Sequence, residues 1–274
     1  MTLFVVDEEK CKRDGICAAV CPMKIIQLKN EKATPTPTED ADETCINCGH
    51  CVAVCPHGAF SLKTMSPEHC PPIRKEWALA PEKVENFLRS RRSIRNYEEK
   101  IVDREVIAKL IDIARFAPSG HNIQPVKWLV IYDSKEVSRL SGLVIDWMRH
   151  LLKEKHPVSK ALHMDNAVTH WEAGTDMILR SAPHIIVTHA PKEERTAPLA
   201  GTIALCYLEL AAPSFALGTC WAGYFYTAAL MWPPLKQSLN LPEGDICLGA
   251  MILGYPKYRY HRLPLREEAR IAWR

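Results

Sequence analysis

The residues of this chain with the clearest chemical potential are cysteines near its beginning. An uninterrupted C-x2-C-x2-C-x3-C-P run is formed by Cys45, Cys48, Cys51, Cys55 and Pro56. The run is repeated upstream, with Asp14 in the place of the second cysteine, by Cys11, Cys17, Cys21 and Pro22. Such short spacers wrap several thiolates around one corner of an iron–sulfur cage, which a more distant fourth thiolate closes. The spacing predicts two iron–sulfur clusters and therefore electron transfer.

Asp14 is the irregular member of this pattern. A carboxylate is a harder and weaker partner for iron than a thiolate. Three outcomes are open: Asp14 binds iron in a 4Fe–4S cluster, water or hydroxide binds it, or that iron is lost to leave a 3Fe–4S cluster. Our working expectation is a 4Fe–4S cluster with one labile iron.

Other uses of these cysteines fit the sequence less well. Paired C-x2-C motifs also bind zinc, but the repeat, the three-residue spacer and the two prolines favour iron–sulfur clusters. Disulfides are not expected, because no secretory signal is seen and this pattern in an intracellular chain indicates metal binding. No ligand spacing is shown by the remaining cysteines, which are Cys70, Cys206, Cys220 and Cys247.

Residues 1 to about 64 resemble a bacterial two-cluster ferredoxin. In that class of protein the fourth cysteine of each run binds the other cluster. The resemblance implies a first cluster held by Cys11, Asp14, Cys17 and Cys55. It implies a second cluster held by Cys45, Cys48, Cys51 and Cys21.

Length and composition limit the remaining functions. A chain of 274 residues is long enough for about two domains. The formal net charge is only +3, and neither part of the chain is strongly basic, so nucleic-acid binding is not expected. The most apolar stretch, Leu199 to Leu217, contains Glu209 and Pro213 and is interpreted as a buried helix, not a membrane anchor. The residues after Met1 are of strand type, so we expect a soluble, cytoplasmic protein.

The sequence after the cysteines predicts a second domain. We expect a ferredoxin-like domain at 1–64, a proline-rich linker at 65–80 and an α+β domain at 81–274. The apolar periodicity of the last domain predicts helices at 81–91, 103–114, 135–152, 159–180 and 199–217. It predicts strands at 126–132, 185–188 and 246–253. No G-x-G-x-x-G motif is present, so a dinucleotide-binding Rossmann domain is not expected.

Two polar motifs in this domain could bind a phosphorylated ring compound. The run from Arg91 to Arg95 contains three arginines and a serine, and arginine binds phosphate through paired hydrogen bonds. A solvated helix end would also account for it. Asn122 and Gln124 lie in a loop bracketed by Pro118 and Pro125, where their amides could contact the polar edge of a flavin. A plain helix-ending turn would account for those residues too.

In order and spacing, residues 81–274 resemble the FMN-dependent nitroreductase family. The resemblance implies a sheet of antiparallel type flanked by helices, a homodimer and an FMN site. It assigns the FMN phosphate to Arg91, Arg92, Ser93, Arg95 and Arg262, with Arg259 as a helper. The flavin loop would be formed by Pro118, Ser119, Asn122 and Gln124, and the backbone near the reactive flavin nitrogen by Ala222 and Gly223.

The combined resemblances predict an iron–sulfur flavoprotein oxidoreductase. Electrons would pass from a low-potential one-electron donor such as ferredoxin, through both clusters, to FMN and a small organic acceptor. The acceptor would be a nitro compound, a quinone, an activated alkene or a halogenated aromatic. An alternative is that FMN takes hydride from NAD(P)H and the clusters pass electrons to a partner protein. We expect no catalytic side chain, because the flavin carries the chemistry. His121, beside the flavin loop, could donate a proton, but we interpret it as a structural loop residue.

Overall fold

The computed structural model describes residues 3–30 and 33–274. The chain divides into two compact units. The first consists of Met1–Leu79 and His121–Ile123, and the second of Ala80–Gly120 and Gln124–Arg274.

In its described residues, the first unit has two short antiparallel strand pairs and three short helices. Its elements are β1 (Phe4–Val6), α1 (Ile16–Val20), β2 (Ile26–Gln27), β3 (Thr36–Pro37), α2 (Ala41–Thr44), α3 (His50–Val54) and β4 (Phe60–Leu62). β1 pairs with β4, and β2 pairs with β3. The segment of the predicted linker contains two 3-10 turns, Pro67–His69 and Lys75–Trp77.

The two cysteine runs adopt the same backbone course. Gly15 and Gly49 immediately precede α1 and α3, with φ angles of 71° and 73°. Glycine adopts this left-handed conformation at little cost because it has no Cβ. The repeat in sequence is therefore also a repeat in backbone conformation.

The second unit contains an antiparallel sheet with helices on both faces. Its elements are α4 (Pro81–Ser90), α5 (Arg104–Ala114), β5 (Lys127–Ile131), α6 (Ser134–Lys153), α7 (Pro157–Ala161), α8 (Met164–Glu172), β6 (His184–Pro191), α9 (Ala197–Ala211), β7 (Gly218–Trp221), α10 (Gly223–Met231), α11 (Pro233–Ser238) and β8 (Asp245–Gly254). The strand order is β5-β6-β8-β7, and every neighbouring pair is antiparallel. The predicted α+β fold is confirmed.

Alternate residues of the central strands enter different cores. Ile185 and Val187 of β6 pack with residues of α6, α8 and α10, whereas Ile186 packs with residues of α5 and α9 on the other face. This is the two-residue period of a strand that is covered on both sides. It explains why residues 185–187 of β6 and most of β8 are apolar in sequence.

α9 is the helix that the sequence marks as most apolar. The segment Ala197–Phe215 is long and apolar enough to cross a membrane by length and composition alone. However, Ala204, Leu205 and Leu208 are buried within the chain. α9 also approaches β8 closely at Gly201. A Cβ added to Gly201 would lie only 2.8 Å from the Cβ of Leu248. One face of α9 is thus buried, as the sequence predicted, whereas Leu199 and Tyr207 on its other side are exposed.

The predicted helix at 159–180 is wrong. The segment instead forms α7 and α8, separated at His163, whose φ is 49°, and the helix ends before Gly174, whose φ is 83°. Residues in the left-handed region interrupt the helical hydrogen-bond pattern. α10 and α11 were not predicted, because α10 is apolar without a helical stripe.

The predicted apolar face of α4 is largely exposed in this chain. Phe87 is 38% exposed to solvent and Leu88 is 49% exposed. The helix itself forms as expected, with Pro81 at its first turn, where a missing N–H costs nothing.

Candidate functional site

Four cysteines of the first unit line a common cavity, which we call the cysteine-lined cavity. Its lining includes Cys45, Cys48 and Cys51 of the second run together with Cys21 of the first. Apolar side chains complete the wall, including Phe4, Ile25, Ile26 and Leu62. The structure thus brings together the four residues that the crossed pattern assigns to the second cluster.

Burial controls the protonation of these thiols. It raises the pKa of Cys51 to about 12, with further increases from the neighbouring charges of Cys48 and Cys21. Burial likewise raises the pKa of Cys17, to which Cys11 and Asp14 contribute. A raised pKa favours the protonated thiol, so binding of iron as thiolate releases protons.

Backbone amides donate to two of the cysteine sulfurs. Asn47 N donates to Cys45 Sγ at 3.4 Å, and Ala59 N donates to Cys55 Sγ at 3.3 Å. Hydrogen bonds to the sulfurs are one of the means by which a protein sets a cluster's reduction potential. Among residues 3–30 and 33–274, no three His, Cys, Asp or Glu side chains form a site for a single metal ion. Thiolates that surround a four-iron cage have no need to converge on one ion.

Asp14 occupies the position equivalent to Cys48. Its Oδ1 accepts a hydrogen bond from Ile16 N at 3.2 Å, at the beginning of α1. The carboxylate therefore stays at the turn that precedes Cys17, where the equivalent cysteine of the second run lines the cavity.

The second unit has an arginine-lined cavity of about 560 Å³. Arg91 and Arg92 line it from the end of α4, Gly218 and Thr219 from β7, and Arg259 from the segment after β8. Cavities of roughly 300–1,000 Å³ are typical of small-molecule and cofactor sites. We call it the arginine-lined cavity.

Close packing holds the arginine run at this cavity. Ile94 N donates to Thr219 O at 2.8 Å, so the run joins the edge of the sheet at β7. A Cβ on Gly218 would lie 2.8 Å from Ile94 Cβ and 2.9 Å from Pro256 Cγ. Only glycine at position 218 lets the run approach β7 so closely.

The two cavity arginines have different hydrogen-bond partners. Arg91 Nη1 donates to Glu209 Oε1 at 2.9 Å and is 3.5 Å from Ser93 Oγ. Arg92 Nη1 donates to the carbonyls of Arg89 and Arg91 at 2.8 Å and 2.5 Å, which closes the end of α4. Arg92 Nε is buried and has no partner within the part of the chain that the structure describes.

Two of the arginines predicted to bind the phosphate do not line the arginine-lined cavity. Arg95 is exposed and lines a separate cavity with Lys100, Arg180 and Lys257. Arg262 is exposed in the segment after β8 and does not line the arginine-lined cavity, whereas Arg259 does.

The predicted flavin loop is divided between the two units. Pro118, Ser119 and Gln124 line a small cavity of the second unit, where Ser119 Oγ accepts from Gln124 N at 2.9 Å. Asn122 belongs to the first unit, in which its Nδ2 donates to Asn47 O at 2.9 Å. His121, Asn122 and Gln124 all have positive φ angles.

The predicted backbone site after β7 is open on one side. Ala222 N donates to Ala250 O at 2.9 Å, and α10 begins at Gly223. A Cβ placed on Gly223 would meet no atom within 4 Å in the described structure. The space beside Gly223 can therefore accept part of a ligand.

Sequence reasoning assigned no role to Glu209, which the structure places in the cavity wall. The signal was a single carboxylate in an otherwise apolar helix, because a buried charge is rarely kept without a partner. The residues of this unit fit a phosphorylated flavin in three respects: the size and charge of the cavity, the Arg92 Nε that has no partner among the described residues, and the open space at Gly223.

Comparison with known proteins places both units in families. Residues 88–255 match the nitroreductase family, and residues 3–56 match the 4Fe-4S dicluster domain. An Archaeoglobus fulgidus protein of the NADH dehydrogenase/NAD(P)H nitroreductase type is 26% identical over 181 residues, which are 64% of this chain and 87% of that protein.

Solved structures show the same fold for the second unit. A nitroreductase with bound FMN from Bacteroides fragilis aligns with a TM-score of 0.59 and 17% identity, over 70% of this chain and 99% of its own. A nitroreductase with bound FMN from Desulfitobacterium hafniense aligns with a TM-score of 0.55 and 18% identity, over 69% of this chain and 96% of its own. The chain thus belongs to the nitroreductase family of oxidoreductases, and its first unit matches a 4Fe–4S dicluster domain.

Proposed function

We propose that the protein takes low-potential electrons from an external one-electron donor such as ferredoxin and delivers them to a small organic acceptor. When bound, the clusters carry single electrons, and FMN stores two and passes them on as hydride. The acceptor class is a nitro compound, a quinone, an activated alkene or a halogenated aromatic. The observation that carries the proposal is the presence in one chain of a cysteine-lined cavity and an arginine-lined cavity.

The proposed cluster ligands follow the crossed pattern. Cluster one uses Cys11, Asp14, Cys17 and Cys55, and cluster two uses Cys45, Cys48, Cys51 and Cys21. The shared cavity of the last four supports the second set. The effect of Cys11 and Asp14 on the pKa of Cys17 supports the first, because it requires the three groups to be near one another.

The proposed FMN phosphate site consists of Arg91, Arg92, Ser93 and Arg259. The lining of the cavity and the pairing of Ser93 with Arg91 support it. Arg95 and Arg262 remain predictions from the resemblance. For the ring, the proposed contacts are Pro118, Ser119, Asn122, Gln124 and the backbone of Ala222 and Gly223.

We also propose a cytoplasmic homodimer. The exposed apolar face of α4, with Phe87 and Leu88, supports a second copy as its partner. The resemblance to the nitroreductase family also implies a homodimer. Burial of Phe87 and Leu88 in a dimer interface would be favourable, because it removes apolar surface from water.

A second function is favoured by one observation. The relative from Archaeoglobus fulgidus is of the NAD(P)H nitroreductase type. If NAD(P)H also reduces the present protein, electrons would flow outward from FMN through the clusters to a partner protein.

The test is an anaerobic titration of iron- and FMN-replete protein, followed by its visible spectrum. Reduced ferredoxin is added to one sample and NAD(P)H to another. We expect ferredoxin to bleach the clusters and the flavin, and NAD(P)H to act much more slowly. Rapid bleaching of the flavin by NAD(P)H, with the clusters following, would support the outward direction instead.

A Cys48→Ser variant tests the role of the second cluster. It removes one thiolate from the cysteine-lined cavity, and we expect ferredoxin to lose its ability to reduce the flavin. Cys70→Ser is the control, because Cys70 lies outside both runs. Flavin reduction at the rate of the unaltered protein in Cys48→Ser would remove the second cluster from the electron path.

A further inference from the structure

One carboxylate is buried in the wall of the arginine-lined cavity. The Glu209 side chain retains 8% of its exposure, on a helix whose neighbouring Leu205 and Leu208 are fully buried. Removing an ionised carboxylate from water is costly unless it is paired and hydrogen-bonded. The partners of Glu209 are therefore the key to why a carboxylate occupies this position.

Both oxygens of Glu209 accept hydrogen bonds, from different sides. Oε1 accepts from Arg91 Nη1 at 2.9 Å, and Oε2 lies 3.4 Å from Trp221 Nε1. Arg91 belongs to the arginine run, and Trp221 directly precedes Ala222 and Gly223. Glu209 thus joins the proposed phosphate end of the flavin site to the segment proposed to lie near the flavin ring.

The pairing leaves most of the Arg91 guanidinium available. A guanidinium has five N–H donors in a rigid fork, and carboxylate or phosphate binds two of them at a time. Glu209 and Ser93 both engage Nη1. Nε and Nη2 have no acceptor in residues 3–30 and 33–274, and the side chain keeps 31% of its exposure. The remaining edge of the fork is free to bind an anion in the cavity.

We propose that Glu209 is a positioning residue for FMN, which holds the Arg91 fork in the orientation that binds the phosphate. This inference rests on the proposed function, because it assumes that the arginine-lined cavity binds the FMN phosphate. A long arginine side chain loses rotamer freedom on binding, and an anchor that has already fixed it reduces that cost. The charge of Glu209 also repels a phosphate, but Arg91 neutralises it at 2.9 Å. Because Arg91 offsets that charge, we expect the gain in orientation to be the larger effect.

The test compares FMN with riboflavin, which lacks only the phosphate. Dissociation constants are measured by flavin fluorescence with anaerobic, iron-replete protein freed of flavin by dialysis. For Glu209→Gln we expect FMN affinity to fall about tenfold while riboflavin affinity changes less than about twofold. Glu136→Gln is the matched control. Glu136 is also a helical glutamate paired with an arginine, since its Oε1 accepts from Arg139 Nη2 at 2.7 Å. Neither residue lines the arginine-lined cavity.

Two further variants separate position from charge. Glu209→Asp keeps the charge but draws the carboxylate back by one methylene, so we expect it to lose FMN preference as Glu209→Gln does. In an Arg91→Met background, Glu209→Gln should cause no additional loss of FMN preference, because residues that act as one unit are not additive.

Each other outcome overturns the inference in a recognisable way. An equal loss of FMN and riboflavin affinity would mean that Glu209 only maintains the fold. Tighter FMN binding by Glu209→Gln would mean that the carboxylate competes with the phosphate. If the unaltered protein bound no flavin, or bound FMN no better than riboflavin, the proposed flavin site itself would be wrong.

Discussion

At the scale of single residues, the arginine-lined cavity separates side chains that look equivalent in sequence. Arg92 lines the cavity and keeps a buried Nε without a partner among the described residues, whereas Arg95 is exposed at another cavity. A buried donor without an acceptor costs free energy that a ligand oxygen would recover. Arg92 is accordingly the more important of the two for an anion.

We predict that Arg92→Met weakens FMN binding far more than Arg95→Met. A hydrogen bond to a charged group contributes about 1.5–3 kcal/mol, which is a loss of roughly 10- to 100-fold in affinity. Arg95→Met should cost less than about threefold, because an exposed charge is screened by solvent. Flavin fluorescence titrations with FMN and riboflavin measure both effects. Equal losses for the two variants would favour the assignment from sequence over the one from structure.

At the scale of elements, the glycine that begins β7 and the glycine that follows its end have opposite surroundings. Gly218 is covered by Ile94 and Pro256, whereas nothing lies within 4 Å of a Cβ on Gly223. The first glycine lets the arginine run join the sheet, and the second leaves space at the beginning of α10. Two glycines only five residues apart in sequence thus serve different purposes.

We predict that Gly218→Ala destabilises the second unit by about 1–3 kcal/mol, because the added methyl overpacks a tight contact. Gly223→Ala should leave the stability of flavin-free protein almost unchanged. It should nevertheless weaken FMN binding if the flavin approaches this backbone. Thermal unfolding followed by tryptophan fluorescence compares the two variants, and a flavin titration follows for Gly223→Ala. Equal stability of both variants would contradict the contact at Gly218.

The prediction of helices succeeded where an apolar stripe was present and failed where the backbone changed direction. α5 matches its predicted face, with Ile107, Leu110 and Ala114 buried. The 159–180 segment has enough helical character to suggest one helix, but His163 and Gly174 adopt left-handed φ angles. Local periodicity does not reveal such interruptions, because they are stabilised by packing with distant residues such as Tyr224, whose hydroxyl donates to Leu162 O at 2.8 Å.

At the scale of the whole molecule, the stability of the second unit depends on a buried histidine. His184 is fully buried, with Nδ1 2.8 Å from Tyr132 O and Nε2 3.0 Å from Val102 N. Val102 N can only donate, so Nε2 accepts and Nδ1 carries the proton. Burial holds the pKa of His184 below its usual 6.5. Protonation would remove the acceptor for Val102 N.

The folded unit should therefore lose stability as the pH falls below about 6.5. As the pH falls, His184 is protonated in the unfolded chain before it is protonated in the folded protein. The stabilisation is therefore complete above about pH 6.5 and is lost as the pH falls toward the folded-state pKa. We predict a smaller drop between pH 7.5 and 5.5 for His184→Gln, although its stability at pH 7.5 will be lower. Urea unfolding measures this, with exposed His170→Gln as the control. An unchanged pH dependence in His184→Gln would contradict the prediction.

The cysteine runs, the family and the α+β class followed from the sequence alone, because cluster ligands and apolar stripes are set by short, local spacing. Only the tertiary structure decided which arginines share a cavity, and that Arg91 pairs with Glu209, 118 residues further along the chain. Arg91 and Arg95 differ in surroundings because Ile94 joins β7 between them. Contacts between segments so far apart depend on how the sheet and α9 pack, and no local spacing records that packing.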